Sequence, residues 1–197
     1  MTRSKWLIPL AAVGLVVLAG GTAQAGLLPT SVTVFPEGSN FRWQYAIVLP
    51  TDSQLKTGDY FTIYDFNGFV PGSDMAPDAN WSFTTAMVGP TPPNVLPFDD
   101  PAKPNLSWKY NGPTIAVGQT GLGNFMATSL YQDRTDSFFT AQTHRSSDGK
   151  VDRNITTTDV PVPGGGVQVP EPATLLLAGL GLPLFGLTFR RKKPAAG

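Results

Sequence analysis

The sequence contains no cysteine and only one histidine, His144, among its 197 residues. The lack of cysteine excludes a disulfide framework, a thiolate metal site, a cysteine nucleophile and covalent haem attachment. Zinc and copper centres need several Cys or His ligands, so a single histidine excludes these centres as well. We therefore expect no metal and no cofactor, and a fold that its packed core alone holds together.

Charge is also scarce, because charged residues make up 14% of the chain against about 25% in ordinary soluble domains. Much of the basic charge lies at the two ends of the sequence. Between Gly26 and Val169 there are 8 Lys and Arg against 13 Asp and Glu. A mildly acidic body has no basic surface with which to neutralise phosphates, so we do not expect a nucleic-acid partner.

The first 25 residues form three zones. Arg3 and Lys5 precede an apolar run over 6–18, and small residues follow until Ala23-Gln24-Ala25. This order is typical of a secretory signal peptide, with signal-peptidase recognition at Ala23 and Ala25 and cleavage after Ala25. An uncleaved anchor or a buried helix is the alternative, but 13 apolar residues are short for a span of about 20.

The other end of the sequence carries a second apolar run, over 173–189, which contains no charged residue. As a helix it would be about 26 Å long, close to the minimum for crossing the hydrocarbon core. Pro170, Glu171 and Pro172 come just before this run, and the two prolines favour extended backbone there. The basic cluster after the run would keep its own end in the cytoplasm as a stop-transfer signal; it consists of Arg190, Arg191, Lys192 and Lys193.

This three-part arrangement over 169–197 resembles the PEP-CTERM sorting signal of Gram-negative bacteria. The resemblance implies export by the general secretion machinery, transient anchoring in the inner membrane, and processing by a membrane-embedded exosortase that recognises Pro170, Glu171 and Pro172. It also implies a final location in the cell envelope or in an exopolysaccharide-rich extracellular matrix. The alternative is a single-span anchor with a proline-containing stalk.

The body, 26–159, alternates short β-type runs with Gly- and Pro-rich turns, and a Pro/Gly linker is expected over 160–168. We predict an all-β fold, an antiparallel β-sandwich or jelly roll of about 8–9 strands, flanked by an N-terminal signal helix and a C-terminal transmembrane helix. The predicted strands are 31–35, 42–49, 60–66, 81–88, 106–110, 114–117, 125–131, 137–143 and 151–158. The predicted core consists of Trp43, Ile47, Phe61, Ile63, Trp81, Phe83, Trp108 and Phe125.

The body also contains two segments with a family resemblance and one long Pro-rich loop. The segments 60–68 and 105–112 resemble parts of uncharacterised PEP-CTERM protein bodies, which implies no particular activity. The Pro-rich stretch 89–104 is expected to form an ordered long loop.

No catalytic constellation stands out in the body. His144 is predicted to be a solvated loop residue near Arg145 and Asp148, and no G-x-S-x-G or S-x-x-K motif occurs. Oxygen-rich turns of a kind that can bind calcium lie at 65–68, 99–100 and 148–152, although none has a dedicated calcium-loop spacing. The N-x-S/T sequons at Asn80, Asn105 and Asn154 are expected to have arisen by chance.

The sequence therefore favours a non-enzymatic structural or interaction protein of the cell surface or matrix. One alternative is a carbohydrate-binding module, in which exposed members among Trp43, Trp81, Trp108 and the tyrosines would stack on sugar rings. The other is a secreted glycan hydrolase, which requires two carboxylates facing each other across a cleft.

Overall fold

A computed structural model describes residues 26–116 and 119–164, and all the regular secondary structure in these ranges is β. This confirms the predicted all-β fold, while the predicted terminal helices lie outside the described residues. No helix in the described part of the chain has the length and hydropathy of a membrane span. The strands are β1 (Leu28–Glu37), β2 (Asn40–Leu49), β3 (Ser53–Gln54), β4 (Tyr60–Ile63), β5 (Trp81–Ala86), β6 (Asn105–Tyr110), β7 (Thr120–Ser129), β8 (Asp133–Arg145) and β9 (Val151–Val162).

The strands form two antiparallel sheets whose inner faces share one core, which confirms the predicted sandwich. The smaller sheet has the order β1-β2-β7. In the larger sheet β8 pairs with β9 along one edge and with β3 and β4 along the other, and β6 and β5 follow. β8 and β9 thus form a long hairpin, and Gly149 at its turn has a φ of 67°, a conformation that glycine adopts without strain.

Strand β2 shows most directly how the sequence produces this packing. Trp43, Tyr45, Ile47 and Leu49 are buried, and the residues between them are partly exposed. This is the period of two that a strand requires when one of its faces packs on a core.

Phe61 lies at the centre of an aromatic core that joins the two sheets. Its ring stacks on Trp108 with centroids 5.3 Å apart and on Phe139 with centroids 5.4 Å apart. Phe125, from the smaller sheet, meets it edge-on at 4.8 Å. The predicted core is confirmed, except that Phe83 is only partly buried against it.

Several predicted boundaries differ from the observed ones. β4 ends at Ile63 because Asp65 takes a φ of 57° and turns the chain. The predicted strand over 114–117 is wrong over 114–116, where Ile115 only forms an isolated bridge with Leu55. β9 runs to Val162, so the first three residues of the predicted 160–168 linker are strand; Pro161 fits there because β9 is an edge strand.

The antiparallel order gives the sandwich two distinct ends. The tail end contains the β1–β2 and β7–β8 turns, the end of β5, the start of β6 and the end of β9. The hairpin end contains the β8–β9 turn, the start of β5 and the end of β6.

Candidate functional site

The chain leaves the sandwich at the tail end. β9 stays paired with β8 until Val162 lies opposite Asp133, and Gly164 then packs so closely that an added Cβ would be 2.5 Å from Asp133 Oδ2. The sorting residues Pro170, Glu171 and Pro172 follow within a few positions and lie outside the described residues. The tail end is thus the part of the body from which the sorting signal extends.

The two remaining groups of predicted sorting residues also lie outside the described ranges. They are the signal-peptidase residues Ala23 and Ala25, and the basic cluster Arg190, Arg191, Lys192 and Lys193. Their predicted roles stay predictions.

The start of the body packs tightly at the hairpin end. Asn154 of β9 is buried, and its side-chain amide donates a hydrogen bond of 2.8 Å to the carbonyl of Leu27. Gly26 lies so close to this side chain that an added Cβ would be 2.3 Å from Asn154 Oδ1. Gly26 would be the first residue after the predicted cleavage, so the mature chain would begin against β9.

Two of the oxygen-rich turns converge at the tail end. Asp65 Oδ1 accepts a hydrogen bond of 2.9 Å from the Asp100 amide, and Asp65 Oδ2 accepts one of 3.3 Å from the Ser137 hydroxyl. Asn105 connects both turns, since its Oδ1 accepts from the Asp65 amide and its Nδ2 donates to Asp99 Oδ1, each at 2.8 Å. These oxygens hold loops together, and the described residues contain no group of three acidic, His or Cys side chains arranged to hold a metal ion.

The third oxygen-rich turn, at 148–152, belongs to the β8–β9 hairpin. Asp148 accepts hydrogen bonds from the Lys150 amide at 3.1 Å and from the Arg145 guanidinium at 2.9 Å. The bond from the Lys150 amide, with the nearby positive charges, holds the pKa of Asp148 below its ordinary value. The turn is thus closed by its own backbone and by ion pairs.

The prediction that His144 is a solvated loop residue is wrong. His144 lies within β8, its side chain is 19% exposed, and its Nδ1 is 3.0 Å from Oδ2 of the fully buried Asp59. Burial raises the pKa of Asp59, and hydrogen bonds from the Lys56 amide and from His144 oppose that rise. Asp59 is 85 positions away, so no local pattern pairs it with His144.

The tryptophans predicted as candidates for sugar stacking are not exposed on the surface. Trp43 and Trp108 are fully buried, and Trp81 is 9% exposed. The indole of Trp43 donates to the Tyr131 carbonyl at 3.0 Å, which ties the ring to the β7–β8 turn. Two of the sequon residues, Asn105 and Asn154, are also buried.

Carboxylates line two grooves. One has a volume of ≈ 350 Å³ and contains Glu37 and Asp74 in its wall, with Glu37 paired to Arg42. The other lies at the tail end and has a volume of ≈ 230 Å³. Asp65 and Asp136 contribute to the wall of this tail-end groove, together with Lys103 and Phe98. Both Asp65 oxygens accept hydrogen bonds, so this side chain connects the loops that form the groove.

The Pro-rich stretch 89–104 is an ordered loop, as predicted. The Pro90 carbonyl accepts hydrogen bonds from Thr62 at 2.8 Å and from Tyr64 at 3.3 Å, so the loop begins on the outer face of the larger sheet. Further along, Leu96 and Phe98 are 91% and 71% exposed. These two residues were not predicted to have a role, although two large apolar side chains in a loop are a signal that could have identified them.

The comparisons with known proteins concern the tail. Residues 168–192 match the family model described as the PEP-CTERM protein-sorting motif. A search of curated proteins found no match to the chain. The chain therefore carries an exosortase-dependent sorting signal, and such a signal implies an exported protein that is first anchored in the membrane.

Proposed function

We propose that the chain is a non-enzymatic structural or interaction protein of the cell envelope or extracellular matrix of a Gram-negative bacterium. The observation that carries the proposal is the sorting motif at 168–192, attached to one end of a sandwich that is complete by Gly164. Removal of the tail would therefore leave the core of the body intact.

The proposed route has two cleavages. Signal peptidase cuts after Ala25, and the apolar run 173–189 then holds the chain in the inner membrane. Exosortase next recognises Pro170, Glu171 and Pro172 and releases the body from its anchor. The extended backbone that the two prolines favour suits such recognition, because a processing enzyme must reach the peptide bond that it cuts.

The side chains of the body support a non-enzymatic role. Two of the polar groups that the sequence suggested for chemistry are engaged in structure: Asp65 closes loops, and His144 pairs with the buried Asp59. The carbohydrate-binding alternative is weakened, because its three tryptophan candidates are buried in the core. Binding to matrix polysaccharide on a glycan array would nevertheless restore that alternative.

The intact mass of the protein from its native host tests the route. We expect a chain that begins at Gly26 and ends near Pro172, and a chain that retains its tail in a strain lacking exosortase. The two glutamates of the sequence give a matched pair of variants: Glu171→Ala is expected to block tail removal, and Glu37→Ala is expected to leave it unchanged. A tail that ends at Gly197 in every strain would refute processing.

A fractionation experiment tests the location. The processed protein is expected in the envelope or matrix fraction of the wild-type host, and the unprocessed chain is expected in the inner-membrane fraction of the strain lacking exosortase. Recovery of the processed body only from the free medium would contradict the structural role while leaving the sorting route intact.

A further inference from the structure

Five of the eight large apolar side chains that are exposed in the described residues lie at the tail end of the sandwich. Leu130 lies in the β7–β8 turn, Met87 and Val88 follow β5, and Leu96 and Phe98 lie in the loop before β6. All five are more than half exposed. At the hairpin end the exposed large apolar side chain is Val151, at 38%. The other two are Phe35 in β1 and Met75, which bridges Met126 of β7. Most of the uncovered apolar surface thus lies at one end.

An apolar groove adjoins these side chains. Its volume is ≈ 370 Å³, and Phe69, Pro71, Met87 and Pro104 form most of its wall. Scattered single apolar residues are normal on a protein surface, but several of them beside an apolar groove mark a surface that is covered in use.

The length of the chain between body and anchor indicates what covers this surface. Eight residues, 165–172, separate Gly164 from the apolar run that begins at Ala173. A fully extended chain of that length reaches only about 30 Å. Before processing, the tail end must therefore stay within about one bilayer thickness of the membrane, and the short tether keeps the local lipid concentration high.

The charge of the tail end limits how such contact can occur. Asp99, Asp100, Asp133 and Asp136 lie there, and the nearby Lys103 is paired with Asp100 at 3.0 Å. An acidic surface is not attracted to anionic lipid headgroups. Contact must therefore depend on the insertion of apolar side chains, which is weak without a tether and reversible once the tether is cut.

We propose that the tail end is a membrane-docking surface, which inserts Leu96 and Phe98 into the headgroup region of the lipid bilayer while the chain is still anchored. Docking keeps the tail end of the body on the membrane before processing. After processing the surface dissociates from the lipid, because without the tether it binds too weakly. The inference rests on the tail acting as a membrane anchor before processing.

Single-cysteine labelling tests the inference without background, because the chain has no cysteine. The unprocessed chain is purified from a strain lacking exosortase and reconstituted in phosphatidylethanolamine–phosphatidylglycerol vesicles. Leu96→Cys and Phe98→Cys are labelled with an environment-sensitive fluorophore, and Val151→Cys at the hairpin end is the matched control. We expect blue-shifted emission at 96 and 98 and quenching by headgroup spin-labelled lipid several-fold stronger than at 151.

The other outcomes each decide the question. Water-like emission at 96 and 98 in chains that float with the vesicles would overturn docking and leave the anchor intact. Blue-shifted emission without lipid quenching would show that a protein, such as a second copy of the chain, covers the surface, and would also overturn docking. Failure of the chain to float with vesicles would refute the anchor and docking together.

A loss-of-insertion variant completes the test. With the label at Leu130→Cys, the double substitution L96D/F98D is expected to remove most of the lipid quenching, because two charges would have to enter the headgroup region. Both positions are exposed, so unchanged thermal unfolding of this variant serves as the folding control. Undiminished quenching at 130 would contradict insertion through this loop.

Discussion

The two ends of the sandwich differ in what they expose and in what holds them together. At the tail end, large apolar side chains face solvent beside acidic ones, and a network around Asp65 and Asn105 fixes the loops beneath them. At the hairpin end, charged groups such as the Arg145–Asp148 ion pair are exposed, the exposed large apolar side chain is Val151, and Gly26 packs against Asn154. One end is thus suited to contact with another surface, and the other to solvent.

This difference shows how one fold can separate stability from interaction. Exposed apolar groups contribute little to folding, so the tail end can keep them for contact only because buried residues supply the stability.

The largest loss of stability is expected for Phe61→Ala. Phe61 is fully buried and contacts four aromatic rings, so its removal leaves a cavity that is expected to cost about 3–5 kcal/mol in free energy of unfolding. Phe98→Ala removes an equal volume at the tail end and is expected to change stability by about 0.5 kcal/mol or less. Chemical denaturation measures both. Similar losses would show that Phe98 is structural and that the tail end is not reserved for contact.

A smaller loss is expected for Asn105→Ala beneath the tail end. The substitution leaves the Asp65 amide and Asp99 Oδ1 without their partner, and an unsatisfied buried group of this kind gives an expected loss of about 2–3 kcal/mol. Asn111→Ala is the control, because Asn111 is exposed and its bonds to Ser82 and Lys109 can be replaced by water. Equal stability of the two variants in denaturation would contradict a structural role for the network.

Gly26→Ala tests the packing at the hairpin end. The added methyl group would overlap Asn154 Oδ1, and displacement of this side chain would break its bond to Leu27, so we expect a loss of about 1–2 kcal/mol. Gly121→Ala is the matched control, because an added Cβ there has nothing within 4 Å. Thermal unfolding of the processed protein compares them. If both alanine variants behave alike, the start of the mature chain is not packed against β9.

The sandwich could be predicted from the sequence because the patterns that indicate it lie within short segments of the chain. The alternation of Trp43, Tyr45, Ile47 and Leu49 lies within one strand, and the hairpin turn lies within four residues. The sorting motif is local as well, which is why a short segment of sequence could identify it.

Features that depend on distant residues could not be predicted in the same way. The Asp59–His144 pair and the Asp65–Asn105 bond join positions 85 and 40 residues apart, and only the sheet order brings them together. The apolar character of the tail end also depends on the fold, because Met87 and Phe98 lie between β5 and β6 whereas Leu130 follows β7. Composition shows that apolar residues are present, but only topology shows which of them share an end.

The smallest effect is expected in the pH dependence of stability, through Asp59. Burial raises the pKa of Asp59 above its ordinary value of 3.8. The folded state therefore binds this proton more tightly than the unfolded state does, and the resulting stabilisation is full below pH 3.8 and lost as the pH rises through the raised value. Asp59→Asn is expected to remove this decline, while its side-chain oxygen can still accept from the Lys56 amide.

Asp148→Asn is the control, and its expected effect has the opposite sign. The pKa of Asp148 is lowered in the fold, so its stabilisation is present at neutral pH and lost as the pH falls through the lowered value. Denaturation curves from about pH 3 to pH 7, taken as differences from the wild-type chain, isolate each carboxylate from the others. The two variants should give difference curves that slope in opposite directions, because Asp59 is buried and Asp148 is not. Curves that slope in the same direction would mean that burial beside His144 does not set the titration of Asp59.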